Sequence, residues 1–133
     1  MELEKRAVEA KGWRWMPGMR IRSIRMHLRI IGRNGDGSYR LSWDDPDRPI
    51  EGDNYSAEDL SKAKPDLTDP ATIGCLLALV RDAHRDAYMA AGCDGEDWIV
   101  ADCDGLQVSR GRSEREVLVK ALEAAPEYKE LKL

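Results

Sequence analysis

The densest chemistry in this chain is cationic. Arg20, Arg22, Arg25, Arg29 and Arg33 bring five positive charges and no acid into fourteen residues. Formal net charge is −4, so the rest of the chain carries −9. Around these arginines Ile24, Met26, Leu28 and Ile30 alternate with Ser23, Arg25, His27 and Arg29. That period of two is the signature of a strand with one apolar and one cationic face. Arg25, His27 and Arg29 then project at steps of roughly 7 Å, a spacing that suits phosphate oxygens, which guanidinium groups grip bidentately. The competing reading is a solvated outer face, with the acids of the 44–54 loop lying over it. A second cationic group, Arg110-Gly111-Arg112-Ser113, stands where a strand gives way to a helix. Free N–H groups at the helix start, a glycine and two arginines make an anion cradle. The competing reading there is an ordinary connection with a serine cap. Trp13, Trp15, Trp43 and Trp98 are stacking candidates or core fillers, and Trp98 lies on the less apolar face of its hairpin. The candidate ligand-binding set is therefore Arg20, Arg22, Arg25, His27, Arg29, Trp98, Arg110, Arg112 and Ser113.

Other chemistry has little support. Asn34-Gly-Asp-Gly37 and Asp102-Cys-Asp-Gly105 lack the carboxylates that a calcium loop needs at its first and last positions. Cys93, Cys103, His27 and His84 have no zinc spacing. There is no GxSxG, P-loop, GxGxxG or HExxH string, so no catalytic residue, metal or cofactor is expected. Cys75, Cys93 and Cys103 are odd in number without CxxC spacing, which suits free thiols in a reducing compartment. The charged start, Met1 to Arg6, does not resemble a secretory signal, and no apolar run is long enough to span a membrane. A cytoplasmic location is expected.

These residues need elements to hold them. A first helix is read over 2–11, closed by Gly12. Met19 and Ile21 have the opposite parity to Ile24–Ile30, which predicts a bulge or a bend near Ile21–Ser23 within one strand. The Gly-rich stretch from Gly32 to Ser38 predicts a hairpin to Tyr39–Trp43. Asp44–Asn54 reads as an acidic surface loop, and Ser56–Asp59 as a capping box opening a short helix to about Lys64. A long helix is predicted from Pro70 to Ala91, capped by Asp69 and closed by Gly92. Asp104-Gly105 predicts a two-residue turn pairing Ala101 with Val108 and Ile99 with Arg110, on a mostly apolar face. Ser113–Glu116 opens a last helix with a capping box, and Pro126 ends it. The order α-β-β-α-α-β-β-α implies a single α+β domain over residues 1–133, with one four-stranded antiparallel sheet from two hairpins and helices packed on it. So small a core leaves a homo-oligomer open.

Several strings resemble small phage and prophage proteins: Ala10-Lys-Gly-Trp13, Asp69-Pro-Ala-Thr-Ile-Gly-Cys-Leu-Leu-Ala-Leu-Val-Arg81, Trp98-Ile-Val100, Arg112-Ser-Glu114 and Ala121-Leu-Glu-Ala-Ala-Pro126. Their order is similar to the phage ABA-sandwich type of domain. That resemblance implies an accessory protein of phage origin, and at class level an antagonist of host defence. Together with the arginines it leads to a non-enzymatic protein that sequesters an anionic, nucleotide-type ligand such as a cyclic nucleotide in the host cytoplasm. One alternative is an inhibitor of a host protein acting through the acidic loop Asp44–Asp53. Another is a small nucleic-acid-binding module.

Overall fold

The structure, a computed structural model, describes residues 2–22, 28–43 and 53–126. Helix α1 (Leu3–Glu9) buries Ala7. The arginine-rich segment that follows is not one bent strand. Strands β1 (Arg20–Arg22) and β2 (Leu28–Arg33) lie antiparallel, with Arg20 opposite Arg29 and Ile21 opposite Leu28. The change of parity thus marks a reversal of the chain rather than a bulge. Residues 23–27, with Arg25 and His27, lie outside the described residues. The bulge sits further on, between Ile30 and Gly32, where the extra residue Ile31 is 42% exposed.

The predicted hairpin from Gly32 to Ser38 is present. Asn34 N–H donates to the Ser38 carbonyl at 2.8 Å, and β3 (Tyr39–Trp43) pairs with β2. Residues 44–52 of the acidic loop lie outside the described residues, but its end is a strand, β4 (Asp53–Tyr55), paired with β3. The Ser56–Asp59 capping box forms as expected, yet α2 is only Ala57–Leu60. Lys64–Pro65 become β5, an edge partner for β1, where the missing N–H of proline costs nothing. The first sheet therefore runs β4-β3-β2-β1-β5.

Helix α3 (Pro70–His84) starts where the Asp-Pro pair predicts, but it stops seven residues short of Ala91. Arg85 takes a left-handed conformation, φ 53°, and closes the helix. Asp86 then accepts from the N–H groups of Tyr88 and Cys103 at 3.0 and 2.8 Å, an alternative to continuing the helical ladder. Ala90–Asp94 form β6, which turns through Gly95-Glu96 into β7 (Asp97–Ala101). Gly95, with φ +67°, supplies the left-handed residue that a two-residue hairpin turn requires. The alanines read as a helix stripe suit this strand equally well, because their small side chains carry no period of their own.

Strand β8 (Gln107–Gly111) completes a second sheet, β6-β7-β8. Ile99 pairs with Arg110 as expected, but the register shifts after Val100, and Ala101 meets Gln107 instead of Val108. Asp102 builds a wider turn: its carboxylate accepts from Asp104 and Leu106 N–H at 3.0 and 2.9 Å. The inward face is also the opposite of the one expected. Val100 is fully buried and Ser109 donates to the Val117 carbonyl at 2.8 Å, while Ile99 and Ala101 are only half-buried.

Helix α4 (Glu114–Glu123) lies between the two halves. It packs on β6, β7 and β8 and also on α1 and α3, and buries Val117, Leu118, Val119, Ala121 and Leu122. Each of its large aliphatic side chains contributes about 1.5–3 kcal/mol of burial. Helix α1 also contacts β5 and so ties the five-stranded sheet to this core. The fold is α+β, as expected, but the single four-stranded sheet is replaced by two antiparallel sheets, of five and three strands, with four helices among the described residues. Among those residues no helix is long and apolar enough to cross a membrane.

Candidate functional site

Arg20 and Arg29 stand opposite each other on β1 and β2, which brings two of the predicted ligands together. Each faces a carboxylate of the segment leading into α3. Arg29 grips Asp69 with two bonds, Nη1 to Oδ2 at 2.9 Å and Nη2 to Oδ1 at 3.0 Å, and also donates to the Gly18 carbonyl at 2.8 Å. Arg20 lies 3.5 Å from Asp66, and its backbone N–H donates to Thr72 Oγ1 at 2.9 Å. Asp69, only 8% exposed, also accepts from the Thr72 N–H and hydroxyl. The Arg29 guanidinium, with Thr72, holds the Asp69 carboxyl at about 2 against its usual 3.8. Chemically this is a clamp: it fastens β1, β2 and the Pro17-Gly18 turn to the cap of α3, and the carboxylates occupy the geometry an external phosphate would take.

Arg22 behaves differently. It is exposed, reaches Glu2 and Glu4 at 3.4 and 3.2 Å, and pairs in register with Lys64 of β5. Lys64 in turn donates to Glu2 at 2.6 Å and lowers that carboxyl's pKa. Beside this pair, between α1 and the α2–β5 segment, lies a groove of about 440 Å³. Trp13 and Trp15 line it with their rings edge to face, centroids 5.3 Å apart at 84°. Lys5, Lys62 and Lys64 form its cationic wall, with Glu9 among them. Lys5 and Glu9 are 4.0 Å apart, an exposed pair one helical turn apart. Trp13 Nε1 is buried without a hydrogen-bond partner among the described residues. Sequence reasoning counted Trp13 and Trp15 as possible stackers but left the three lysines out. The Trp-x-Trp spacing was the available signal; the lysines come from α1, the stretch after α2 and β5, and only folding brings them together.

The second cationic group sits on the outer strand of the other sheet. Arg110 is bound by Asp94, and by Asp97 at 3.0 Å, both of which raise its pKa. Ser113 caps α4 by accepting from the Glu116 N–H at 3.3 Å. The predicted anion cradle holds an internal anion: the Glu116 carboxylate accepts from the Arg112 N–H at 3.0 Å, which lowers its pKa. A Cβ at Gly111 would stand 2.9 Å from the Glu116 carboxyl carbon, so glycine is what lets this carboxylate fold back. Trp98 is half-buried, packs against the core and lies opposite Gly111. The two arginine groups thus belong to different sheets, and Arg25 and His27 lie outside the described residues.

The remaining reactive side chains have local roles. His84 Nε2 lies 2.7 Å from the Ala121 carbonyl, joining α3 to α4. Cys75, Cys93 and Cys103 are free thiols; burial raises Cys75, and the bond with Asp86 raises Cys103. No cluster of three or more potential metal ligands occurs among the described residues. Comparison of the chain with protein families, with curated proteins and with solved structures found no match.

Proposed function

We propose that this chain is a non-enzymatic binding protein that holds an anionic, nucleotide-type ligand in the groove between α1 and the α2–β5 segment. The observation that carries the reading is the Trp13–Trp15 pair standing in a groove with Lys5, Lys62 and Lys64. At about 440 Å³ the groove falls within the usual range for small-ligand clefts, about 300–1,000 Å³. An indole face against a base contributes about 1–3 kcal/mol. Ammonium groups at the wall offer point charges to a phosphate, which competes with Glu2 and Glu4 for Lys64 and the neighbouring Arg22. Arg20 and Arg29 take a structural part in this reading, as the clamp on α3. The phage resemblance extends it to an accessory protein that sequesters a nucleotide signal in the host cytoplasm and so opposes host defence.

The test is a thermal-shift and calorimetry panel of mono-, di- and cyclic nucleotides. A ligand at about a hundredfold excess over its dissociation constant should stabilise the fold by about 2.7 kcal/mol. Trp15→Leu and Lys62→Glu should each weaken binding, and the ligand should be recovered chemically intact after denaturation. A panel that leaves the unfolding temperature unmoved defeats the proposal. Ligand recovered cleaved defeats its non-enzymatic half. Tight binding of oligonucleotides with steep salt dependence favours the nucleic-acid module instead.

A further inference from the structure

The outer edge of a sheet presents backbone N–H and C=O groups without strand partners, and proteins usually blunt such edges with proline, lysine, brevity or a covering side chain. Four strands edge the two sheets here. β5 has two residues, one of them Pro65, and β4 has three. β8 carries Arg110, whose carbonyl accepts from Lys120 Nζ at 3.0 Å. β6 has none of these devices. It is five residues, Ala90-Ala91-Gly92-Cys93-Asp94, in regular register and paired, among the described residues, with β7 alone. Ala90 and Cys93 are exposed, and side chains this small do not shield the backbone between them.

The stretch that builds this edge carries one sign of charge, and two arginines reach it from outside: Arg81 Nε donates to the Met89 carbonyl at 2.7 Å, and Arg110 binds Asp94. From Asp86 to Ser109 there are six carboxylates, Asp86, Asp94, Glu96, Asp97, Asp102 and Asp104, and no Lys, Arg or His. Arg110 answers Asp94 and Asp97; the others have no basic residue of this stretch to face. Asp86, by binding the N–H groups of both Tyr88 and Cys103, draws the start of β6 against the β7–β8 turn. Two large apolar side chains stand out at that end, Tyr88 at 81% and Leu106 at 65% exposure.

We infer that the β6 edge is a docking site for an extended basic segment of another protein, which adds to the small sheet as a fourth strand. The bare backbone edge defines the occupant's conformation, the carboxylates define its charge, and Tyr88 and Leu106 offer apolar contact at one end. A second copy of this chain suits the edge less well, because antiparallel pairing of two β6 strands brings Asp94 and Glu96 of one towards Asp86 and its neighbours of the other. The inference is independent of the tryptophan groove, which lies against α1 and β5.

The probe is a short blocked peptide of alternating lysine and valine, followed by fluorescence anisotropy and by amide hydrogen exchange of the intact chain. The expected result is binding that weakens with salt, with slowed exchange at alternate amides of Ala90–Asp94. A peptide of the same charge with proline at alternate positions cannot form a strand and should not bind. Cys93→Lys should weaken binding by about tenfold or more, since it places an edge lysine and a like charge at once. Tyr88→Ser with Leu106→Ser lies outside the strand and should also weaken it, with the fold intact. Equal binding of the proline peptide, protection away from residues 90–94, or no binding at all overturns the inference. A concentration-dependent dimer that the peptide fails to dissociate overturns the assignment of the partner.

Discussion

Replacing Asp69 with asparagine separates the two jobs this residue does. Asparagine is as good a helix cap as aspartate, so the bond from the Thr72 N–H to position 69 is kept. The bidentate ion pair with Arg29 is lost. The depression of the Asp69 pKa from 3.8 to about 2 comes first from that pairing, with the Thr72 hydrogen bonds adding to it and burial opposing it. By linkage it corresponds to about 2 kcal/mol at neutral pH. The folded value lies below the ordinary one, so the stabilisation is present above about pH 5 and is lost as pH falls towards 2. Linkage gives a difference between wild type and Asp69→Asn of about 2 kcal/mol at pH 7, about half of that at pH 3 and little at pH 2. Urea unfolding at pH 7 and pH 3, read as free energies with m held in common, measures it. A difference below about 0.5 kcal/mol at pH 7 would refute the clamp, because it falls within the range of an ordinary exposed ion pair, up to about 1 kcal/mol. A difference equally large at pH 3 and pH 7 would show that asparagine acts through something other than the charge.

Further outcomes follow from the same geometry. Gly12→Ala places a Cβ 2.8 Å from Leu122 Cδ1 and 2.9 Å from the Ala83 Cβ, so it should destabilise by about 1–3 kcal/mol in thermal unfolding. Val100→Ala should cost about 2 kcal/mol and Ile99→Ala clearly less, the reverse of what the hairpin pattern implies; equal costs would return the face assignment to doubt. Gly111→Ala should force the Glu116 carboxylate off the Arg112 N–H and lower the melting temperature, while Glu116→Gln, which keeps an acceptor, should lower it less. In timed alkylation at pH 7.5 with peptide mapping, Cys93 should react before Cys75 and Cys103, whose thiol pKa values are raised by burial and by Asp86 respectively.

What could be read from the sequence is what short-range chemistry decides. The Asp69-Pro70 start of α3, the Ser56 capping box, the Ser113 cap and the Gly-rich hairpin at residues 34–38 all depend on residues within a few positions of one another. The buried stripe of α4 was equally visible, because Val117, Leu118, Ala121 and Leu122 recur with the helical period. The α+β class and the presence of cationic clusters needed nothing more.

Tertiary structure decided the rest. Alanines carry both helical and strand periods, so only pairing with β7 determined that Ala90 belongs to a sheet rather than to α3. Which face of β7 turns inward was decided by the packing of α4 on it: Ile99 meets Arg110 as the turn predicts, yet Val100 is the buried side. The arginines changed most. Their charge and spacing were plain in the sequence, but the partners of Arg29 and Arg110 lie 40, 13 and 16 residues away, in Asp69, Asp97 and Asp94. A cation's role is set by what faces it in space. Sequence shows the charge, and only the fold shows which carboxylate answers it, and that along the Trp13–Trp15 groove aromatic rings and lysines from separate elements meet at one surface.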